Sequence, residues 1–325
     1  MASKMIGIDI GSNMLKMAVC ANGNVKKAAV APIPEYLTQD GRVAVPDAMT
    51  DFIKKMLKEN KIGRGDCALI LPRQTVIATR LSMPVVSEKE ILLNLPFEFR
   101  DFIGKDIASY DYDYVICGEK DGIMDIYAAA VRRDLVEEYY SIFKKAGLTL
   151  KIAVPAEIAW ANLIRRAKEV PGKLGILDIG HASTGIRIYS GDNFIMGRDL
   201  DMAGSTLTDN IAFELNVDAF SAHTRKEANT GDILNSAFLQ ETYDSLGMQV
   251  ANILHFFSYS DTSEGGALEH VYYCGGTSML PLLRDALAEN TGLTLHHIND
   301  LLRMNEKDAD LALLCALAAS AAMQK

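Results

Sequence analysis

The sequence predicts a mixed α/β protein built from two similar halves. Three observations carry that prediction. The stretch "GIDIGSN" at 7–13 returns as "GILDIGHAS" at 175–183, so Asp9 and Asp178 stand 169 positions apart in a chain of 325 residues. In each copy an apolar strand holding one acid runs into a turn of small polar residues, then a second strand, a Gly-containing tight turn and a third strand. Strand-like and helix-like periodicities alternate through both halves, the pattern of α/β architecture. A repeat of about half the chain with the same local order indicates two similar domains facing each other.

Residues 5–31 read as a three-stranded meander, "MIGIDI", "LKMAVC" and "VKKAAVA", with Asn22-Gly23 as the second turn. Asn-Gly between alternating runs is a strong hairpin signal. Met49, Phe52, Ile53, Met56 and Leu57 fall at helical spacing within 46–61. "CALILP" and "TVIATRLSM" read as strands. "SEKEILLNLPFEFRDFI" opens with Ser87 and Glu90 in a capping box, and Pro96 should kink that helix or end its first half. "SYDYDYVIC" and "MDIYAAAV" form a strand pair around "EKDG". "RDLVEEYYSIFKKAG" is a helix closed by Gly147, "LKIAVP" a strand, and "PAEIAWANLIRRAKEV" a helix with Pro155 near its start. In the second half, residues 175–200 predict the second meander, "STLTDNIAFELN" and "DAFSAHTRKEAN" two helices, and about 232–259 one long helix. "HVYYCGGTSMLPLLRDALAENTG" is a strand, a Gly-Gly turn and a helix ended by Gly292, and "DADLALLCALAASAA" is a closing helix.

Composition narrows the function classes. Apolar residues are 49%, charged residues 23% and the net charge is −9, which allows an ordinary core and argues against a broad nucleic-acid surface. Cys20, Cys67, Cys117, Cys274 and Cys315 contain no C-x-x-C pair and read as free thiols in a reducing compartment. The six histidines show no H-E-x-x-H spacing. Asp9 precedes any long apolar run, so no signal peptide is expected. The run at 311–323 is shorter than the ~20 residues that span a bilayer. The expectation is a cytosolic protein with no direct membrane insertion.

The repeated turn is the chemical signal. A tight turn can aim successive backbone N–H groups at one anion. Gly11 lets a phosphate approach, Ser12 and Asn13 add donors, and Lys16 on the next strand can place a positive charge on it. Asp9 can hold Mg²⁺, through water, since that ion keeps several waters. The alternative is an ordinary hairpin with a surface acid. In the second copy Asp178, Gly180, Ser183 and Thr184 stand in the same roles, so two nests can grip a phosphate chain from both sides; duplication kept for structure alone is the other reading. Gly275-Gly276, after an apolar strand, permits close approach by a base or ribose. Lys226 is either a donor to an adenosine hydroxyl or a solvated helix charge. Trp160, with Ile158, Leu163 and Ile164, reads as core. Tyr110, Tyr112 and Tyr114 share one strand face and serve either packing or peptide binding.

In order, "GIDIGSNMLKMAV", "GILDIGHASTGIRIY" and "VYYCGGTSMLPLL" resemble the first phosphate, second phosphate and adenosine motifs of the actin, heat-shock chaperone and sugar-kinase superfamily. Within it the chain is similar to the PilM family of type IV pilus and type II secretion machines. Lys16 stands where that family has a lysine after the glycine turn. Residues from "SEKEILLNLPFEFRDFI" through "MDIYAAAVRRDLVEEYYSIFKKAGL" resemble the inserted subdomain shared with the division protein FtsA, with Phe97-Glu98 as its aromatic–Glu pair. Gly204, Leu207 and Thr208 match a Gly-x-x-Leu-Thr helix start. The resemblance implies an actin-like (ribonuclease H-like) two-lobed α/β fold with an FtsA/PilM-type inserted subdomain. Lobe one would span 1–174, with the insert at about 80–152. Lobe two would span 175–325, with a subdomain at about 208–268 and a closing helix able to pack back on lobe one. It also places Gly204, Lys226, Gly275, Gly276 and Thr277 with the nests in the nucleotide site.

The chain departs from the family at two points. Ile103-Gly104-Lys105 replaces Ile-Pro-Phe. His223 takes the Glu position of Ala-Glu-x-x-Lys, with Lys226 at its end. Hydrolytic members of the superfamily such as the heat-shock chaperone place an acid just before the proline that opens the connecting helix, whereas here Val154 precedes Pro155 and the nearest acid is Glu157. A general base must reach the attacking water, so nucleotide binding with slow or no hydrolysis is expected. The resemblance implies ATP or ADP with Mg²⁺, and a partner in the N-terminal tail of a PilN-like membrane protein, alongside other pilus or secretion assembly proteins. It places the chain peripherally at the inner face of the membrane and leaves self-association open. An FtsA-like division filament is one alternative. The chain stops at "AASAAMQK" without the basic amphipathic tail of that group, which favours PilM. A small-molecule kinase is the other alternative; it needs a positioned carboxylate, and Asp9 and Asp178 read better as metal-side groups.

Overall fold

Alternating apolar residues and a two-residue turn build the first sheet. β1 (Lys4–Ile10), β2 (Met14–Ala21) and β3 (Asn24–Pro32) form the expected meander. Asn22 and Gly23 both take positive φ, as the hairpin turn requires. The structure, a computed structural model, describes residues 4–39, 41–167, 170, 172–260, 268 and 270–323. The end of the helix expected through "RRAKEV" at 168–169, and the part of the expected second-lobe subdomain at 261–267, lie outside the described residues.

β4 (Thr38–Gln39) and β5 (Arg42–Val43) pair with each other. α1 (Pro46–Glu59) begins on a proline, where no N–H is needed, and buries Met49, Ile53, Met56 and Leu57. β6 (Gly65–Ile70) runs parallel to β1. β7 (Val76–Pro84) starts a separate sheet. α2 (Glu88–Glu98) follows, and the Ser87 N–H donates to Glu90 Oε2 at 2.9 Å, the capping contact the sequence predicts. Pro96 lies in the last turn of α2, which stops at Glu98 before α3 (Arg100–Ile103). β8 (Tyr110–Lys120) and β9 (Ile123–Arg132) complete an antiparallel sheet in the order β7–β9–β8. Ile91, Leu95 and Phe99 pack on Met124, Ile126, Ala128 and Ala130 of that sheet, with Tyr110, Tyr112 and Tyr114 against the same cluster. The Tyr112 hydroxyl donates to Ile107 O at 2.7 Å, and all three tyrosines remain half-buried. α4 (Arg133–Lys145), β10 (Leu148–Val154) and α5 (Ala156–Arg166) follow, and Trp160 is buried.

The second half repeats the design. β11 (Lys173–Ile179), β12 (Thr184–Ser190) and β13 (Asn193–Leu200) form the second meander. α6 (Gly204–Leu215) and α7 (Ala219–Glu227) follow. α8 (Ala237–Ser260) starts later than the expected 232, because Asn229, Gly231 and Asp232 take positive φ and hold 230–235 in a tighter, interrupted turn. β14 (His270–Cys274), α9 (Pro281–Thr291), β15 (Thr294–His297), α10 (Asn299–Leu302) and α11 (Ala309–Ala322) close the chain. The short, polar "TLHH" of β15 carries no apolar alternation, and the sequence gives no strand signal there.

The sheet orders β3–β2–β1–β6–β10 and β13–β12–β11–β14–β15 match, with two antiparallel pairings followed by two parallel ones in each. Even the irregularity repeats: the β2–β3 register shifts at Val19/Cys20, and the β12–β13 register shifts at Ile188/Tyr189, the equivalent position. The chain divides into two compact units, one running to Asn162 and including the segment from Leu317, the other Leu163–Ala316. The passages between them fall inside α5 and α11. In the first unit the end of α11 lies on the sheet, and a Cβ at Gly7 would stand 1.7 Å from Ala318 O. Only glycine permits that approach.

Candidate functional site

The first cluster forms where β1 turns into β2. Asp9 pairs across the strands with Lys16, and Lys16 Nζ donates to Asp9 Oδ2 at 2.9 Å with both side chains largely buried. Gly11 N–H donates to Met14 O at 3.1 Å and closes the turn. Asn13 O accepts the Ile33 N–H at 2.8 Å, which ties the turn to the end of the meander. Among the described residues, the N–H groups of Ser12 and Asn13 donate to no backbone carbonyl. Two adjacent donors therefore stand at the tip, beside Lys16, as an anion nest needs. Asp9, Gly11, Ser12, Asn13 and Lys16 thus come together in the first unit.

The second cluster uses the same turn and more supports. Gly180 N–H donates to Ser183 O at 3.0 Å, the counterpart of the Gly11 bond. Gly180 O accepts from Gly204 N–H at 3.1 Å and from Thr277 Oγ1 at 2.7 Å, and His181 O accepts from Ser205 N–H at 2.7 Å. The start of α6 is thereby docked on the turn. A Cβ at Gly204 would stand 2.5 Å from Thr277 Oγ1, so glycine is needed there. Gly275, at φ +88°, brings its backbone against Ile179 O and Asp178 Oδ1; a Cβ would stand 2.4 and 2.6 Å from them. Gly276 faces Leu314 less tightly, at 3.3 Å.

Two predicted residues are committed to the fold. Thr184 is buried, and its hydroxyl donates to Met202 O at 2.8 Å. Lys226 is buried, and its Nζ donates to Gly204 O at 2.8 Å and Thr208 Oγ1 at 2.7 Å. It is therefore not a solvated helix charge. Burial lowers its pKa from the ordinary lysine value, partly offset by Glu227 and Asp209. Its ammonium holds the carbonyl at the head of α6, whose N–H groups dock on the 180–183 turn. Asp178, Gly180, Ser183, Thr184, Gly204, Lys226, Gly275 and Thr277 are linked through these contacts. Sequence reasoning did not single out His181, in the turn, or the contact its ring makes with His223, at a centroid distance of 6.0 Å. A histidine among the small residues of the turn was the available signal.

Among the described residues no three His, Cys, Asp or Glu side chains cluster to hold a metal. A divalent cation beside Asp9 or Asp178 would take its other ligands from phosphate and water, which suits Mg²⁺. No described helix is long and apolar enough to cross a membrane.

Comparison with known proteins follows the same lines. The pattern of the type IV pilus assembly protein PilM family matches residues 7–319. A solved PilM–PilN type IV pilus biogenesis complex is 24% identical over 98% of this chain and 97% of that one, with a TM-score of 0.83. The ethanolamine utilization protein EutJ from Carboxydothermus hydrogenoformans is 14% identical over 98% and 89%, with a TM-score of 0.61. MreB5 of Spiroplasma citri, bound to ADP, is 14% identical over 95% and 94%, with a TM-score of 0.53. At these identities the likeness is one of fold, and the fold is that of the actin-like ATPases. No curated protein matches the chain. With the family pattern running through both meanders and into α11, this protein belongs to the type IV pilus assembly protein PilM family.

Proposed function

We propose that the chain is a nucleotide-binding scaffold of the pilus assembly machinery, taking ATP or ADP with Mg²⁺ on its two turns. The observation that carries this reading is the duplicated turn: the same closing hydrogen bond, at 3.1 and 3.0 Å, follows a strand bearing an acid at the same register in each unit. Ser12, Asn13 and Lys16 would receive phosphate in the first unit, and the residues of the 180–183 turn in the second. Asp9 and Asp178 would hold the cation through water, and the cation would offset phosphate charge. The Asp9–Lys16 ion pair keeps both groups at the turn before a ligand arrives. Thr184, Lys226 and Thr277 position the second turn.

Turnover is slow or absent in this reading. Val154 ends β10, Pro155 follows, and the nearest acid is Glu157 in the first turn of α5. The nucleotide then selects a conformation and is not consumed in a productive cycle. The partner is a PilN-like membrane protein, whose N-terminal tail the chain captures at the inner face of the membrane beside other pilus or type II secretion assembly proteins. Family membership and the likeness to a PilM–PilN complex support that partner. Calorimetry of the full chain with Mg²⁺–ADP and Mg²⁺–ATP tests the nucleotide. Micromolar binding is expected, weakened roughly tenfold or more by Asp9→Ala, about 1.4 kcal/mol or more; unchanged binding in the variant removes the metal role of Asp9. A pull-down with a PilN-like tail peptide, with and without ATP, tests the scaffold, and no capture in either state overturns it.

A further inference from the structure

The second nest carries a basic cluster that the first lacks. His181 occupies the turn position held by Ser12 in the first copy. Its ring stands edge-on to the ring of His223 on α7, with centroids 6.0 Å apart. Lys226, one turn further along α7, buries its ammonium beneath the start of α6. Three basic side chains therefore flank one anion-nest turn. The His181 carbonyl is taken by Ser205 N–H, so the backbone there is fixed. Among the described residues, neither ring nitrogen of His181 has a hydrogen-bond partner, although the ring is half-buried.

We propose that His181 is a phosphate ligand of this turn that takes up a proton when a nucleotide binds, so that affinity rises as pH falls. The proposal rests on the nucleotide reading above and adds to it the residue that senses pH. The groups acting on the ring are Lys226, His223 and Glu227 from α7 and Asp209 from α6. Burial first, then the Lys226 ammonium and the His223 ring, hold His181 below the ordinary imidazole value, and the two carboxylates only partly offset them. The free protein thus keeps this ring neutral near pH 7. A polyphosphate at the turn brings in negative charge and an acceptor. Imidazolium then gains a charge-assisted hydrogen bond that neutral imidazole makes only weakly. By linkage, a ligand that prefers the protonated form binds more tightly as protons become available, by at most about tenfold per pH unit for one proton. Ser12 cannot contribute such a term, so the pH dependence belongs to the second nest.

The test is calorimetry of the full chain with Mg²⁺–ADP between about pH 6 and pH 8, where an imidazole titrates. Wild type is compared with His181→Gln, which keeps an N–H donor and loses the titration. Protonation of the nucleotide's own phosphate is common to both proteins and cancels in the ratio of affinities. That ratio is expected to rise several-fold in favour of wild type from the alkaline to the acid end. Wild type should also show proton uptake, read from the dependence of the heat on buffer ionisation. Proton resonances of the His181 ring in the wild-type protein should titrate at higher pH with ADP than without, a readout that needs no variant. Identical pH profiles in wild type and His181→Gln overturn the proposal while leaving the nucleotide reading intact. So does a profile flattened by His223→Gln and not by His181→Gln. Absence of ADP binding by every protein at every pH overturns both readings together.

Discussion

The turn after β1 and the turn after β11 close with the same hydrogen bond, Gly11 to Met14 and Gly180 to Ser183, yet their surroundings differ residue by residue. Asp9 faces Lys16 across the strands, whereas Asp178 faces Gly185. Gly185 is small because a buried ion pair, Arg187 Nη2 to Asp199 Oδ1 at 3.0 Å, lies against it; a Cβ there would stand 3.2 Å from Asp199 Oδ1 and 3.3 Å from Arg187 Nη1. The first turn is secured by a side-chain ion pair at the tip. The second is braced from behind by the start of α6, by Thr277 and by Lys226. One backbone geometry is thus compatible with two kinds of support. The supports, and not the turn, decide which substitutions matter.

The largest expected effect tests support from α11. Gly7 in β1 corresponds to Ile176 in β11, and only at Gly7 does a helix carbonyl close to 1.7 Å of where a Cβ would sit. Gly7→Ala should push α11 off the sheet and cost about 4 kcal/mol, among the larger single-residue effects. Trp160 is the only tryptophan, is buried and belongs to the first unit. Its fluorescence during urea unfolding should therefore show a much earlier transition, and an unchanged midpoint would mean that α11 is not needed there. Gly275→Ala comes next, at about 3 kcal/mol, because it meets Ile179 O and must also hold φ +88°. Its counterweight is Gly11→Ala, about 1 kcal/mol, since that Cβ would meet Met14 O only at 3.1 Å and φ is not in the left-handed region. Equal losses at the two glycines would erase the distinction between a braced and an open turn.

The meanders, the paired acids, the capping box at Ser87 and the glycine turns were legible in the sequence because each rests on neighbours a few positions apart. β15 was not, since "TLHH" offers no apolar alternation and becomes a strand only by lying beside β14. The interrupted start of α8 was hidden for a related reason: a periodic apolar pattern does not show that Gly231 and Asp232 take positive φ. At the two turns, the closing hydrogen bond and the register of the acid were readable because both are local. The contacts of Lys226 and Thr184 were not, because Lys226 reaches Gly204 O and Thr208 on α6, and Thr184 reaches Met202 beyond β13. Side chains that act on distant backbone look, in sequence, like ligand contacts or solvated charges.

The two lysines sharpen the comparison at smaller energies. Lys16→Met leaves the Asp9 carboxylate, 7% exposed, without its ammonium partner. Breaking one side of such a pair costs more than the pair contributes, and about 2 kcal/mol is expected here, below the full buried-pair value because both side chains retain some exposure. Lys226→Met removes a cation that serves two neutral oxygens. Methionine fills similar volume and carries no desolvation penalty, so a loss of about 1 kcal/mol is expected. Thermal unfolding followed by circular dichroism can rank the two. A larger loss at Lys226 would make bracing, and not the ion pair, the dominant support.

The smallest effect is a pH dependence confined to the second unit. His181 and His297 are both held below the ordinary imidazole value, each mainly by burial. His297 Nδ1 accepts the Asn299 N–H at 2.9 Å, a bond that needs its neutral form. In ligand-free protein the unfolded chain therefore binds more protons than the folded one once pH falls through about 6.5, the unperturbed imidazole value. Stability rises with pH wherever that is so, which means it is undiminished above that pH and declines below it, levelling once the folded-state rings are also protonated. His181→Gln should remove its share of the acid-side decline and leave the share from His297, while Ser12→Gln in the first turn should leave the whole decline in place. Melting temperatures compared on either side of about pH 6.5 check the sign. An acid-side decline that persists in full in His181→Gln would assign it to His297 alone and would make the two nests alike in their response to protons.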